Sequence, residues 1–211
     1  PYGIQLDLGD GFLWETDVTA YAPLLRDQVY LTAGNGQELL DLKFIFIKGK
    51  PARKVVGIKN LYQGSYDYGA MIEDKQMQPV NIPLSAQAKQ FRIKTRTSGH
   101  GFGNNNENCA EFCKKSHYID INDSQKFKWD VWRLCATNPI YPQGGTWVYD
   151  RGGWCPGDIV PDYNWELTPF VTPGETVKID YRIQKASLAP FGNYHQTVQL
   201  ISYEQANHAL D

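Results

Sequence analysis

Apolar residues along this chain recur at every second position in short runs, and the runs are divided by Gly, Pro, Asn and Asp. That is the period of a half-buried β-strand rather than the 3.6-residue period of a helix. Alternation is cleanest in Val177-Lys178-Ile179-Asp180-Tyr181-Arg182-Ile183, whose apolar members share one sheet face. The same reasoning predicts strands over Lys54–Leu61, Gln90–Thr97, His117–Ile121, Phe127–Leu134, Thr176–Ile183 and Thr197–Tyr203. Upstream it predicts Gln5–Leu8, Phe12–Val18, Gln28–Thr32 and Leu39–Ile47, with one short helix around Ala20–Leu25. Many short strands separated by turn residues specify an all-β fold, an antiparallel jelly-roll β-sandwich.

Two breaks organise the chain. Gly49-Lys50-Pro51 follows an apolar run and reads as a linker. Residues 138–175 are rich in Pro and Gly yet carry Trp147, Trp154 and Trp165, the composition of an ordered functional loop. A length of 211 residues fits one domain with part of another. Residues 1–49 are too few to close a sandwich alone and would leave an open sheet edge. They are expected to be the C-terminal strands of an incomplete N-terminal jelly roll. Residues 50–211 are then a complete C-terminal jelly roll, and a companion N-terminal fragment or chain completes the first.

Composition narrows the function. Lys and Arg number 21 against 23 Asp and Glu, so the chain lacks the cationic excess that duplex nucleic acid requires. No apolar run approaches the ~20 residues of a membrane span. Aromatic residues reach 13%, compatible with carbohydrate stacking and equally with a β-sheet core. Cys109, Cys113, Cys135 and Cys155 cluster within one stretch. An even, clustered set favours two disulfides in an exported protein over a zinc site, whose close Cys pairs are missing. Spacing leaves all three pairings open.

The densest chemistry lies in Ser98-Gly99-His100-Gly101-Phe102, Cys109-Ala110-Glu111-Phe112-Cys113 and Asp150-Arg151-Gly152-Gly153-Trp154-Cys155. A carboxylate, a guanidinium and an indole together suit a polar ring such as a sugar. The carboxylate accepts hydroxyl protons, Arg donates several, and Trp covers the apolar ring face. The plainer reading is a disulfide-stapled loop with Glu111 in a surface salt bridge.

In order, Ser98–Gly101, Cys109–His117, Cys135–Ile140 and Asp150–Gly157 resemble the peptide-N-glycosidase F family. The resemblance is clearest from Arg96 to Gly157. It implies two packed eight-stranded jelly rolls, of which this chain holds the second and the last strands of the first. It implies an amidase that cuts the Asn–GlcNAc bond of N-glycoproteins in the cleft between the domains. It implies disulfides Cys109–Cys113 and Cys135–Cys155, no metal and no organic cofactor, and a secreted or periplasmic bacterial protein. Glu111 matches the second domain's catalytic acid. The implied substrate-binding set is Arg151, Trp154, Phe112, His100 and Asp150, with Phe112 and His100 standing where the family has Trp. Amide hydrolysis needs an activated water and a proton for the leaving nitrogen, work that paired carboxylates do. The family's principal catalytic Asp belongs to the first domain, and nothing in this chain matches it. Thr32 and Gly34 align where the family has a further acid and a Trp. A non-catalytic glycan-binding protein on the same scaffold is therefore the alternative function.

Other residues carry smaller expectations. His117 is expected to support the Glu111 loop, and His195 and His208 to lie on the surface or on an edge strand. Trp129 or Trp132 is expected in the core. Trp147 and Trp165 are candidates for sugar stacking. Asp150 is expected to orient Arg151 through a salt bridge.

Overall fold

The computed structural model describes residues 12–33, 41–103, 108–140 and 143–204. Among these residues eight strands follow one another: β1 (Val55–Asp67), β2 (Val80–Pro83), β3 (Gln90–His100), β4 (Lys115–Ile121), β5 (Ser124–Val131), β6 (Asp162–Glu166), β7 (Thr176–Ile183) and β8 (Asn193–Tyr203). One sheet has the order β1-β8-β3-β6 and the other β2-β7-β4-β5, all pairs antiparallel. This is the all-β jelly-roll sandwich that the alternation implies. A short helix, α1 (Tyr68–Ile72), follows β1, with the Asp67 carboxylate accepting the Ala70 N–H at 2.8 Å. Among the described residues no helix is long and apolar enough to cross a membrane.

The core lies between the sheets. On β7 the alternate residues Val177, Ile179, Tyr181 and Ile183 are all buried. They face Phe91 and Ile93 of β3 and Tyr194 and Val198 of β8. Each such side chain contributes roughly 1.5–3 kcal/mol when removed from water. One polar knot crosses this apolar layer. The Tyr181 hydroxyl lies 2.7 Å from His117 Nδ1 and accepts from Gln196 Nε2 at 3.1 Å. Thr97 Oγ1 donates to Gln196 Oε1 at 2.6 Å. Burial pushes the His117 pKa down to about 3, so the imidazole is neutral. His117 thus lies in the layer between the sheets, bonded to Tyr181 of its own sheet and packed 4.9 Å from the Tyr194 ring of the other.

Two strands escaped the sequence reading, β2 and β6, of four and five residues. Each is a sheet edge, where few residues need burial and the alternation is too short to register. β6 lies inside the Pro/Gly-rich stretch. Its Trp165 packs against the core, 4.8 Å from Trp129 and 5.4 Å from Phe127 between ring centroids. That placement takes Trp165 out of the sugar-stacking candidates.

Upstream of β1 the picture differs from the strand predictions. Gln5–Leu8 lies outside the described residues. Phe12–Val18, Gln28–Thr32 and residues 41–47 form no ladder. Alternation marks a face that can be buried, but a strand also needs a neighbour for its backbone groups. Tyr30, Phe46 and Ile47 are instead largely exposed. The predicted short helix is present as a 3-10 helix, Thr19–Leu24. Its Tyr21 hydroxyl donates to Gln199 at 2.5 Å, and the Tyr21 ring sits 4.7 Å from Lys94 Nζ. This segment therefore lies on the outer face of the β1-β8-β3-β6 sheet.

Candidate active site

Three loops meet at the end of β3, and glycines let them. A Cβ on Gly99 would stand 2.0 Å from the Ala110 carbonyl oxygen. Gly153 has φ +85°, and a Cβ there would lie 2.3 Å from the Thr97 carbonyl. Only glycine permits both approaches. The backbones then bond directly: Gly99 N–H to Gly152 O at 2.7 Å, Gly152 N–H to Glu111 O at 2.6 Å, and Glu111 N–H to Gly101 O at 3.2 Å. Disulfides Cys109–Cys113 and Cys135–Cys155 close two of the loops. The three sequence motifs are thus one structural unit.

At its centre the Glu111 carboxylate accepts the Gly101 N–H at 3.0 Å and Arg151 Nε at 3.3 Å. Arg151 is a buried hub, its side chain only 3% exposed. Its remaining N–H groups reach Tyr149 O at 2.8 Å, Trp147 O at 3.4 Å, and Thr146 O and Oγ1, both at 2.9 Å. A guanidinium has five N–H donors, and all five have protein acceptors here. Arg151 thus orients Glu111 and shapes the 146–149 turn. Its partner is Glu111 rather than Asp150, which accepts the Cys135 N–H at 3.0 Å. Adjacent residues in an extended loop point apart, so Asp150 anchors the second disulfide instead of pairing with its neighbour.

Aromatic rings continue from this hub. The Arg151 guanidinium lies 4.8 Å from the Phe112 ring and 5.0 Å from the Trp154 ring. Trp154 stacks on His100 at 5.0 Å, and its indole N–H donates to Gly99 O at 2.8 Å. His100 in turn lies 4.4 Å from His195 and 2.9 Å from Ser98 Oγ through Nε2. Burial, then the neighbouring His195, lowers the His100 pKa, while Glu111 acts in the opposite sense. At the other end Phe102 packs edge-on against Phe112 at 6.0 Å. Phe102 and Phe191 are exposed. The result is a contact series Phe102–Phe112–Arg151–Trp154–His100–His195, with Glu111 bonded at its middle.

All five residues expected to bind substrate lie in or beside this unit. Asp150 is on its disulfide side, and Trp147 contributes a carbonyl to Arg151. His195 was missed as a site residue. It is exposed on the outer face of β8, an interior strand rather than an edge. Its signal was weak, because it joins His100 only through the β3–β8 register, which sets Ser98 opposite His195. Among the described residues no group of three His, Cys, Asp or Glu side chains could hold a metal ion.

The chain is also similar to known proteins. The family described as "Peptide-N-glycosidase F, C terminal" matches residues 67–203. The amidase "Peptide-N(4)-(N-acetyl-beta-D-glucosaminyl)asparagine amidase F" of Elizabethkingia miricola is 36% identical over 110 residues, 49% of this chain and 31% of that protein. The crystal structure of a peptide-N(4)-(N-acetyl-beta-D-glucosaminyl) asparagine amidase superposes with a TM-score of 0.65 at 27% identity, over 75% of this chain and 55% of the other. PNGase F of Flavobacterium meningosepticum, described as a glycosylasparaginase, gives 0.65 at 25% identity over the same shares. The match spans about a third of the length of the curated relative and about half of the solved ones. On the match over residues 67–203, the chain belongs to the peptide-N-glycosidase F family.

Proposed function

We propose that this chain is the second-domain part of an N-glycan amidase, acting on the amide that joins Asn to the first GlcNAc of an N-glycoprotein. The observation that carries the reading is Glu111, a carboxylate fixed by the Gly101 N–H and Arg151 in the middle of an aromatic series. In the reaction a water oxygen attacks the Asn side-chain carbonyl carbon. The C–N bond breaks, nitrogen leaves with a proton as the glycosylamine, and the peptide keeps an Asp. Glu111 accepts a proton or a substrate hydrogen bond in that step. A second acidic group completes the acid–base pair, supplied by a preceding segment or companion chain. The same segment would make residues 1–49 the last strands of a first jelly roll, with 50–211 as the second. Exposed Tyr30, Phe46 and Ile47 support that pairing. Two disulfides and the bacterial relative support export.

One observation favours a second reading, a glycan-binding protein without turnover. Arg151 has no N–H left for a ligand, and among the described residues Glu111 is the one carboxylate bonded within this aromatic series. The deciding experiment incubates the protein, with any companion chain, with a denatured N-glycoprotein. Released glycan together with Asn converted to Asp is expected. Measurable glycan binding with no conversion favours the second reading. Glu111→Gln keeps the shape and removes the charge, and turnover should fall roughly 10²–10⁴-fold. Unchanged turnover overturns the role given to Glu111.

A further inference from the structure

The outer face of the β1-β8-β3-β6 sheet holds an open cleft of about 350 Å³ at the His195 end of the aromatic series. It is lined by Gln63 and Ser65 of β1, Arg96 and Ser98 of β3, and His195 and Thr197 of β8. Its size falls at the lower end of small-ligand pockets. Its lining residues carry amide, hydroxyl, imidazole and guanidinium groups while most of its wall surface is carbon, the two kinds of surface that a pyranose meets with its hydroxyls and its C–H face. Arg96 grips Asp162 with Nε and Nη2, at 2.8 and 2.9 Å, which leaves Nη1 outside that fork. Asp162 also holds Lys94 at 2.9 Å, so both cations have their place set by one carboxylate. The exposed imidazole of His195 offers a flat face beside these groups, backed by His100 and Trp154.

The two ends of the series differ in kind. At one end Phe102, Phe112 and Phe191 present hydrocarbon. At the other, a wall that is mostly carbon carries hydrogen-bonding heads from Gln63, Ser65, Arg96 and Thr197. A glycosylated peptide has the same polarity, with peptide on one side of the scissile amide and sugar on the other. We propose that this cleft is a saccharide subsite, which takes a pyranose unit lying beyond the chitobiose unit of the N-glycan. The sugar's C–H face rests on His195, and its hydroxyls reach Gln63, Ser65, Arg96 and Thr197. This inference rests on the amidase reading and adds a reason for the protein to prefer branched core glycans to short ones.

The test measures affinity by calorimetry for two probes, free chitobiose and the trimannosyl-chitobiose pentasaccharide. The wild type should bind the pentasaccharide more tightly. His195→Ala and Gln63→Ala should each shrink that preference about three- to tenfold, the worth of one or two hydrogen bonds. Chitobiose affinity serves as the internal reference in each variant, and a thermal melt checks folding. Because a variant could misfold, the wild type is also followed by NMR. His195 and Thr197 resonances should move on adding the pentasaccharide and stay put with chitobiose. An equal affinity for both probes, an undiminished preference in the variants, or shifts confined to Phe102 and Phe191 overturns the subsite alone. Failure of both probes to bind, with any companion chain present, overturns the amidase reading with it.

Discussion

Replacing Gly99 by Ala tests whether the candidate site is built from backbone contacts. The added Cβ would lie 2.0 Å from Ala110 O, 2.7 Å from Ala110 C and 2.9 Å from the Tyr194 ring. Real contacts of this kind do not fall below about 3.0 Å, so one backbone must retreat by about 1 Å. Neither neighbour is a flexible side-chain end. Overpacking of this type costs roughly 1–3 kcal/mol. The retreat also breaks the 2.7 Å bond from Gly99 N–H to Gly152 and the 2.8 Å bond from the Trp154 indole, each worth about 1 kcal/mol. The total is roughly 3–5 kcal/mol, a large share of a domain's 5–15 kcal/mol. Urea unfolding should show it as a lowered midpoint, and a thermal melt as a drop of roughly 6–20 °C. Ala110 precedes Glu111, so glycan affinity should fall too. Gly49→Ala is the control, since nothing lies within 4 Å of its Cβ. If Gly99→Ala melts with the wild type and binds glycan as well, the close approach of the loops is wrong.

Three further outcomes follow from the same geometry. The folded pKa of His117, about 3, lies below its unfolded value of about 6.5, so the folded protein binds fewer protons. Stability should be complete above about pH 6.5 and decline toward pH 3, by up to about 1.4 kcal/mol per pH unit, and His117→Gln should flatten that slope in urea midpoints. Asp162→Ala strands Lys94, whose side chain is 8% exposed, and should cost about 3 kcal/mol by denaturation; a neutral result would show that Lys94 escapes to water. Glu111→Gln turns one of two accepting oxygens into a donor beside the buried Arg151, so the melting temperature should fall, and Asn-to-Asp conversion measured on the folded fraction should still be lost, which separates a chemical role from a structural one.

How much of this was legible depended on what each pattern encodes. β7 and β3 were readable because an alternating strand that buries one face announces itself. The segments upstream of β1 alternate as well, yet alternation records a burial need and carries no information about the partner. At the site, the glycines could be counted but not interpreted: the meaning of Gly99 is the Ala110 carbonyl opposite it, eleven residues away. Cysteine spacing alone left three pairings. Asp150 and Arg151 are neighbours in sequence and point to different partners, Cys135 and Glu111. Residue types revealed the chemistry of the site, whereas its wiring depends on contacts between distant loops.

The position of β8 has a consequence for how the domain comes into being. Among the described residues it is the last strand in sequence, yet it sits between β1 and β3 and pairs with both along most of its length. Until residues 193–203 have emerged, β1 has no neighbour in its own sheet and β3 has only the short edge strand β6. A chain made from its N-terminus therefore holds two long, unpaired strand edges from the time β3 is made until β8 follows. Closure joins residues more than a hundred positions apart, which makes folding slow and leaves the waiting edges open to aggregation. Loss of even the final strand would remove the central staple of one sheet. Folding of this sandwich is thus tied to completion of β8, which favours keeping the chain unfolded until that strand is available.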